Sequence, residues 1–177
     1  MMDNLQWHAL KVRPRFERIV ALRLRQRDIE QYLPFRQIGR DSTHSIELPL
    51  FPAYVFCKYD DLAVSPFWDV PGVLSMVQGN DGTNVIPEQQ ITDLRRVLMV
   101  GATIESCQFT PHGRTVMVED GPLSGVTGIL EERTDRRLLV VSIQLIRRSV
   151  AVKIDRRSRI SFRPGAAFPF GIAYMAS

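Results

Sequence analysis

Few of the residues that carry out chemistry stand where chemistry would need them. The three histidines, His8, His44 and His112, are far apart in the chain, and the two cysteines are Cys57 and Cys107. A four-ligand zinc site needs closely spaced Cys and His pairs, which this pattern lacks. Ser124-Gly125 has no glycine two positions before the serine, as a nucleophile elbow requires. Glu119-Asp120 and Glu131-Glu132 could pair as acid and base, but adjacent carboxylates are more often solvated turn residues. Gly121, Gly125 and Gly128 follow a strand-like segment and lead into another, so they read as turn and bulge glycines, not a phosphate cradle. The sequence therefore predicts no enzyme, no cofactor and no metal.

What remains is the chemistry of recognition. Of 23 basic residues, only Lys11, Lys58 and Lys153 are lysine. Arginine binds phosphate in a bidentate fork and stacks on bases. Residues 11–40 hold nine basic and three acidic side chains, and residues 131–163 hold ten and four, a net charge of +6 in each. A compositional bias toward arginine would explain the ratio but not this clustering, which points to contact with a polyanion.

The elements that must position these residues follow from periodicity. The chain has 177 residues, 45% hydrophobic and 24% charged, the size of one domain or two small ones. No apolar run reaches membrane-span length, and the first ten residues lack the basic and apolar regions of a secretory signal. A cytoplasmic chain with reduced thiols is the expectation. Residues 5–13 alternate as a strand. Pro14 opens a helix in which Phe16, Val20, Ala21 and Leu24 share a face. Residues 31–38 read as extended and residues 53–59 as a strand, and residues 87–99 carry Ile91, Leu94 and Leu98 at helical spacing. Residues 100–112 show no clear period. Beyond them, five short strand candidates separated by turns point to a small barrel. The fold class is α+β: an antiparallel sheet with flanking helices, then a small all-β domain. Alternation puts Tyr54 and Phe56 on one face of their strand and Val55 and Cys57 on the other. An uncovered aromatic face would be a partner site; from alternation alone the two aromatics read more readily as core.

The segments WHALKVRPRFE, the Tyr32–Pro34 tripeptide YLP, PLFPAYVF from Pro49 to Phe56, VPGV from Val70 and IPEQQI from Ile86 resemble the N-terminal domain of the NusG family, and GRTVMVEDGPLSGVTGIL from Gly113 to Leu130 resembles a KOW motif. The resemblance covers residues 5 to 162, with Ala53 where the family usually has glycine. It implies residues 1–100 as an RNA polymerase-binding domain, 101–112 as a linker, 113–163 as a five-stranded SH3-like KOW barrel and 164–177 as a tail. It implies an elongation and antitermination factor that binds the clamp helices of the polymerase largest subunit through Tyr32, Phe35, Phe51, Pro52, Tyr54 and Phe56. The same domain would touch non-template DNA, through Arg13, Arg23 and Arg27. The KOW domain would recruit the termination factor Rho, a small-subunit ribosomal protein or nascent RNA, with Arg147, Arg148, Arg156 and Arg157 as contacts. The compact length and the DGPLSG turn look closer to the specialised paralogs that antiterminate long operons. The chain is expected to be a cytoplasmic monomer without a membrane. The Val- and Ile-rich segments Thr115–Glu119 and Leu138–Ile154 predict strands at rest, with the clamp-binding face open. The alternative is an RNA- or ribosome-binding KOW structural protein.

Overall fold

The computed structural model describes residues 5–38, 46–60, 67–101, 104–109 and 113–163. His44, His112 and the tail at 164–177 lie outside them. Strands β1 (Leu5–Val12), β2 (Glu30–Tyr32), β5 (Tyr54–Asp60) and β6 (Val73–Met76) form a four-stranded sheet in the order β2-β5-β1-β6, each pair antiparallel. Between β2 and β5 the chain makes a separate two-stranded ribbon, β3 (Phe35–Ile38) against β4 (Ile46–Pro49). Pro52 lies in the turn before β5 and Pro49 at the end of β4 opposite Phe35, so neither interrupts the central strand.

Helix α1 (Glu17–Arg25) buries Val20, Ala21 and Leu24 on one stripe. They pack with Leu10, Val12, Val55 and Cys57 into a core on one sheet face. The helix begins three residues later than Pro14 suggests, because Arg15 takes a left-handed turn at φ 70°. Helix α2 (Glu88–Met99) follows Pro87 and buries Ile91, Leu94 and Val97. Among the described residues, no helix is long and apolar enough to cross a membrane.

Strands β7 (Ile104–Gln108), β8 (Arg114–Val118), β9 (Thr127–Glu132), β10 (Arg137–Ile143), β11 (Arg148–Ile154) and β12 (Ile160–Phe162) form a second sheet in the order β12-β8-β9-β10-β11-β7. The segments rich in Val and Ile are strands, as their composition predicts, with one 3₁₀ turn at Gln144–Ile146. The sheet has six strands where five are expected, because part of the stretch read as linker forms β7. β7 pairs with β11 from Arg148 to Val152. β11 is buried over Ser149–Val152, and an unpaired edge there would leave its backbone groups unsatisfied. Gly128 lies where β9 crosses β10 closely: an added Cβ would stand 2.6 Å from the Val140 carbonyl oxygen.

Ala53 sits in the turn before β5 at φ 67°, a left-handed conformation that suits glycine. Its N–H donates to the Glu17 carboxylate at 2.8 Å, tying the turn to α1. Relief of the Cβ strain in Ala53→Gly exceeds the entropy gained by the unfolded chain, so the substitution is expected to stabilise by about 0.5–1 kcal/mol. A melting temperature higher by about 2–3 °C is the measurable result.

Candidate interaction surfaces

The sheet face opposite α1 carries the aromatic residues. Tyr32 on β2 stands opposite Phe56 on β5, with ring centroids 6.3 Å apart at 29°. Phe51 meets Phe56 edge to face at 6.0 Å and 84°. The Arg95 guanidinium of α2 lies over Trp7 at 5.0 Å and over Tyr32 at 4.8 Å, and bonds Glu30 at 3.1 Å. Burial pushes the Tyr32 phenol up to about 12, against the pull of the Arg95 charge. Phe56 is 0% and Phe51 3% exposed, Tyr32 and Tyr54 are half-buried beside them, and Pro52 is exposed in the turn. Five of the six aromatic-face candidates thus belong to one region. Phe35 does not: it sits on the β3–β4 ribbon with the Arg18 guanidinium 4.3 Å above its ring.

The aromatic face, expected to be open, is instead part of a buried core. Trp7, Phe51, Phe56, Ile91, Leu94 and Val97 form one continuous core with residues of the second sheet, including Val126, Leu139 and Ile143. Three α2 side chains at helical spacing fasten this contact. The Gln90 amide oxygen accepts from the Gln144 N–H at 3.0 Å, the Asp93 carboxylate accepts from the Thr127 N–H at 3.3 Å, and Arg96 donates to the Ser124 carbonyl at 2.9 Å. The other Asp93 oxygen accepts from Gln89 at 2.8 Å. Burial raises the Asp93 pKa, outweighing the Gln89 and Thr127 hydrogen bonds and the Arg96 charge. A carboxyl whose folded pKa is raised binds its proton more tightly when folded, so its contribution weakens as pH rises through that raised range. Asp93→Asn keeps an acceptor and loses the charge. The difference in stability between wild type and Asp93→Asn is expected to favour the variant increasingly as pH rises from the acid range toward neutrality, read by thermal unfolding.

The arginines divide into two groups. At α1, Arg13 is exposed and Arg23 donates to Gln26 at 3.3 Å, whereas Arg27 forks onto Asp69 at 2.5 and 2.9 Å. That fork holds the Asp69 carboxyl below the usual carboxylate range. Arg27 is therefore committed to an internal pair, and Arg13 and Arg23 are the better phosphate candidates. In the second sheet, Arg147 and Arg148 stand at one end of β11 and Arg156 and Arg157 beyond the other, so the four do not form one patch. Arg147 takes a left-handed φ of 51° over the Phe109 ring at 5.9 Å. Arg156 donates to the Arg133 and Thr134 carbonyls, and the Arg157 N–H bonds Asp155. Arg133, Arg136 and Arg137, absent from the sequence-based set, join Arg156 around an open cavity of about 330 Å³. Each of the three is matched by a carboxylate: Glu131 at 3.3 Å, Glu105 at 3.1 Å and Glu132 at 3.0 Å. The dense mixed-charge run EERTDRR at 131–137 is the available signal.

The histidine and cysteine that lie in the first sheet are structural. His8 is buried, its Nδ1 3.0 Å from the Asn84 carbonyl and its ring 4.3 Å from Tyr59. Burial pushes the Cys57 thiol up to about 12, which leaves no thiolate for chemistry near neutral pH. Among the described residues, no cluster of three or more His, Cys, Asp and Glu could hold a metal ion.

Residues 5–95 match the family model described as transcription termination factor NusG. The transcription termination/antitermination protein NusG of Buchnera aphidicola subsp. Baizongia pistaciae is 30% identical over 116 residues, 62% of this chain and 63% of that protein. The matched region is thus less than two thirds of that relative. A solved structure concerning domain interaction in Thermotoga maritima NusG is similar over 85% of this chain and 93% of its own, at 17% identity and a TM-score of 0.47.

Proposed function

The chain belongs to the NusG family, and on that premise we propose that it is a non-enzymatic transcription elongation and antitermination factor. It binds the clamp helices of the RNA polymerase largest subunit through the face built from Tyr32, Phe51, Pro52, Tyr54 and Phe56. The observation that supports this reading most is the aromatic cluster itself. Four rings from three chain segments converge on one sheet face, and the half-buried Tyr54 and exposed Pro52 offer its accessible margin. Phe35, on the ribbon, serves a separate contact with the polymerase. The division into residues 1–100 and a KOW domain at 113–163 belongs to the same reading, as does assignment to the operon-specific paralogs.

The mechanism is a shift between two populations. In the closed one, the second sheet rests on α2 and shares one continuous core with Phe51 and Phe56. The clamp helices compete for the same apolar surface, so polymerase binding favours release of the second sheet. The released KOW domain is then free to recruit Rho, a ribosomal protein or nascent RNA, with Arg147 and Arg148 more accessible than the carbonyl-bound Arg156. Arg13 and Arg23 face the non-template DNA.

An apolar interface predicts weak salt dependence, whereas a polyanion binder loses affinity steeply with salt. Purified RNA polymerase immobilised and challenged with the full chain should retain it at about 0.5 M salt, where phosphate-driven binding has collapsed. Retention only at low salt, or retention of RNA in place of polymerase, would overturn the assignment in favour of an RNA-binding KOW protein.

A further inference from the structure

Trp68 is 58% exposed, although indole is among the most apolar side chains and ordinarily finds a partner surface. It is not loosely held. Its ring leans on the buried Phe67 at 5.2 Å, and the next residue, Asp69, is forked onto Arg27 just beyond α1. The segment from Phe67 to Val73 runs beside α1. Phe67 and Val70 join the α1 core, the Gly72 carbonyl accepts from the Arg13 N–H at 2.8 Å, and Gly72 lies against Phe16.

At 100° per residue, Phe16 at the N-cap and Arg23 fall on one flank of α1, away from the flank where Arg18 bonds Glu47, and Arg27 follows in the turn just past the helix. The Phe67–Val73 segment lies on that first flank, since it meets Phe16 and Arg27. Arg23 therefore projects on the side that carries Trp68, and Arg13 stands at the other end of the same segment. Among the described residues, Arg13 and Arg23 make no ion pair with a carboxylate. A fixed, exposed indole beside unneutralised guanidinium groups is complementary to unstacked bases on a phosphodiester backbone. A protein partner would favour an apolar rim, but the neighbouring segment carries the Arg27–Asp69 pair, and Arg23 lies one helical turn before Arg27.

We propose that Trp68 is a base-stacking platform for single-stranded DNA, with Arg23 and Arg13 binding the flanking phosphates. This rests on the DNA contact in the function proposed above and adds to it the residue that reads the bases. Stacking acts on bases and not on phosphates, so the two contributions separate experimentally.

The full chain is titrated with a dodecamer of thymidylate and with an abasic deoxyribose-phosphate strand of the same length, each carrying a fluorescein whose anisotropy reports binding, with tryptophan emission of the wild type followed in parallel. The sequence has two tryptophans, and Trp7 is 1% exposed, so a change of emission on binding reports Trp68. Thymidylate should quench the emission. Trp68→Ala should weaken thymidylate binding about tenfold, with Trp68→Phe recovering most of it, while abasic-strand affinity stays unchanged. Arg13→Ala with Arg23→Ala should weaken both strands and flatten the salt slope by about 1.4. Equal loss for the two strands in Trp68→Ala, no loss for either, or no binding of thymidylate to the wild type would overturn the proposal. So would tighter binding of a uridylate dodecamer, which would assign the site to RNA. A chain that holds polymerase at high salt and fails these tests leaves the polymerase reading standing and removes only the stacking role.

Discussion

Replacing Phe56 with alanine is expected to lower stability by about 3–5 kcal/mol, the scale for truncating a fully buried aromatic ring. Phe56 is 0% exposed on β5, with Tyr32 stacked on one side and Phe51 edge-on at another. Neighbouring strands β1 and β2 fix the backbone around it, so the cavity has little room to collapse. For a chain of this length the melting temperature should fall by roughly 6–20 °C. Phe56→Leu, which keeps most of the volume, should cost far less. A Phe56→Ala chain that melts like wild type would show that the second sheet and α2 do not pack on this face in solution. The family resemblance makes Phe56 an interface anchor that can be removed with the fold intact, whereas alternation alone reads it as core. The structure makes it core in the closed arrangement, so binding data on this variant would be confounded by unfolding.

Tyr54 has no such ambiguity. It lies on the same face of β5 two residues earlier but is only half-buried, at the margin of the cluster. Tyr54→Ala should weaken polymerase binding by about 2 kcal/mol, roughly thirtyfold, the scale of an aromatic hot spot. Its effect on folding should be smaller than that of Phe56→Ala, since the side chain is only partly buried. Tyr54→Phe should keep most of the affinity if the ring is what the clamp contacts. Affinity measured by polarisation of the labelled full chain on an elongation complex, with unfolding followed in parallel, separates the two effects. Unchanged affinity for Tyr54→Ala would remove the residue from the interface.

Much of the secondary structure is legible in the sequence because local period carries it. Val20, Ala21 and Leu24 mark α1, Ile91 and Leu94 mark α2, and the alternation through Tyr54–Tyr59 marks β5. β7 is not legible, since Ile104–Gln108 has no regular apolar alternation and becomes a strand only against the exposed edge of β11. The contact between α2 and the second sheet is not legible either. The bonds that fasten it run from Gln90, Asp93 and Arg96 to backbone groups of Gln144, Thr127 and Ser124, and backbone groups look alike in every sequence. Arg27 reads as one more helix cation until the fold brings Asp69, 42 residues away, onto its guanidinium. Trp68 carries no pattern at all, because what distinguishes it is exposure.

The central claim is that the aromatic face meets RNA polymerase, and a photo-crosslink tests it most directly. A photoreactive phenylalanine analogue at position 54 is placed in the full chain and irradiated on a reconstituted elongation complex. The account predicts a crosslink to the largest polymerase subunit that competes with unlabelled wild-type chain and survives about 0.5 M salt. A crosslink confined to the chain's own second sheet, or to nucleic acid, would contradict it.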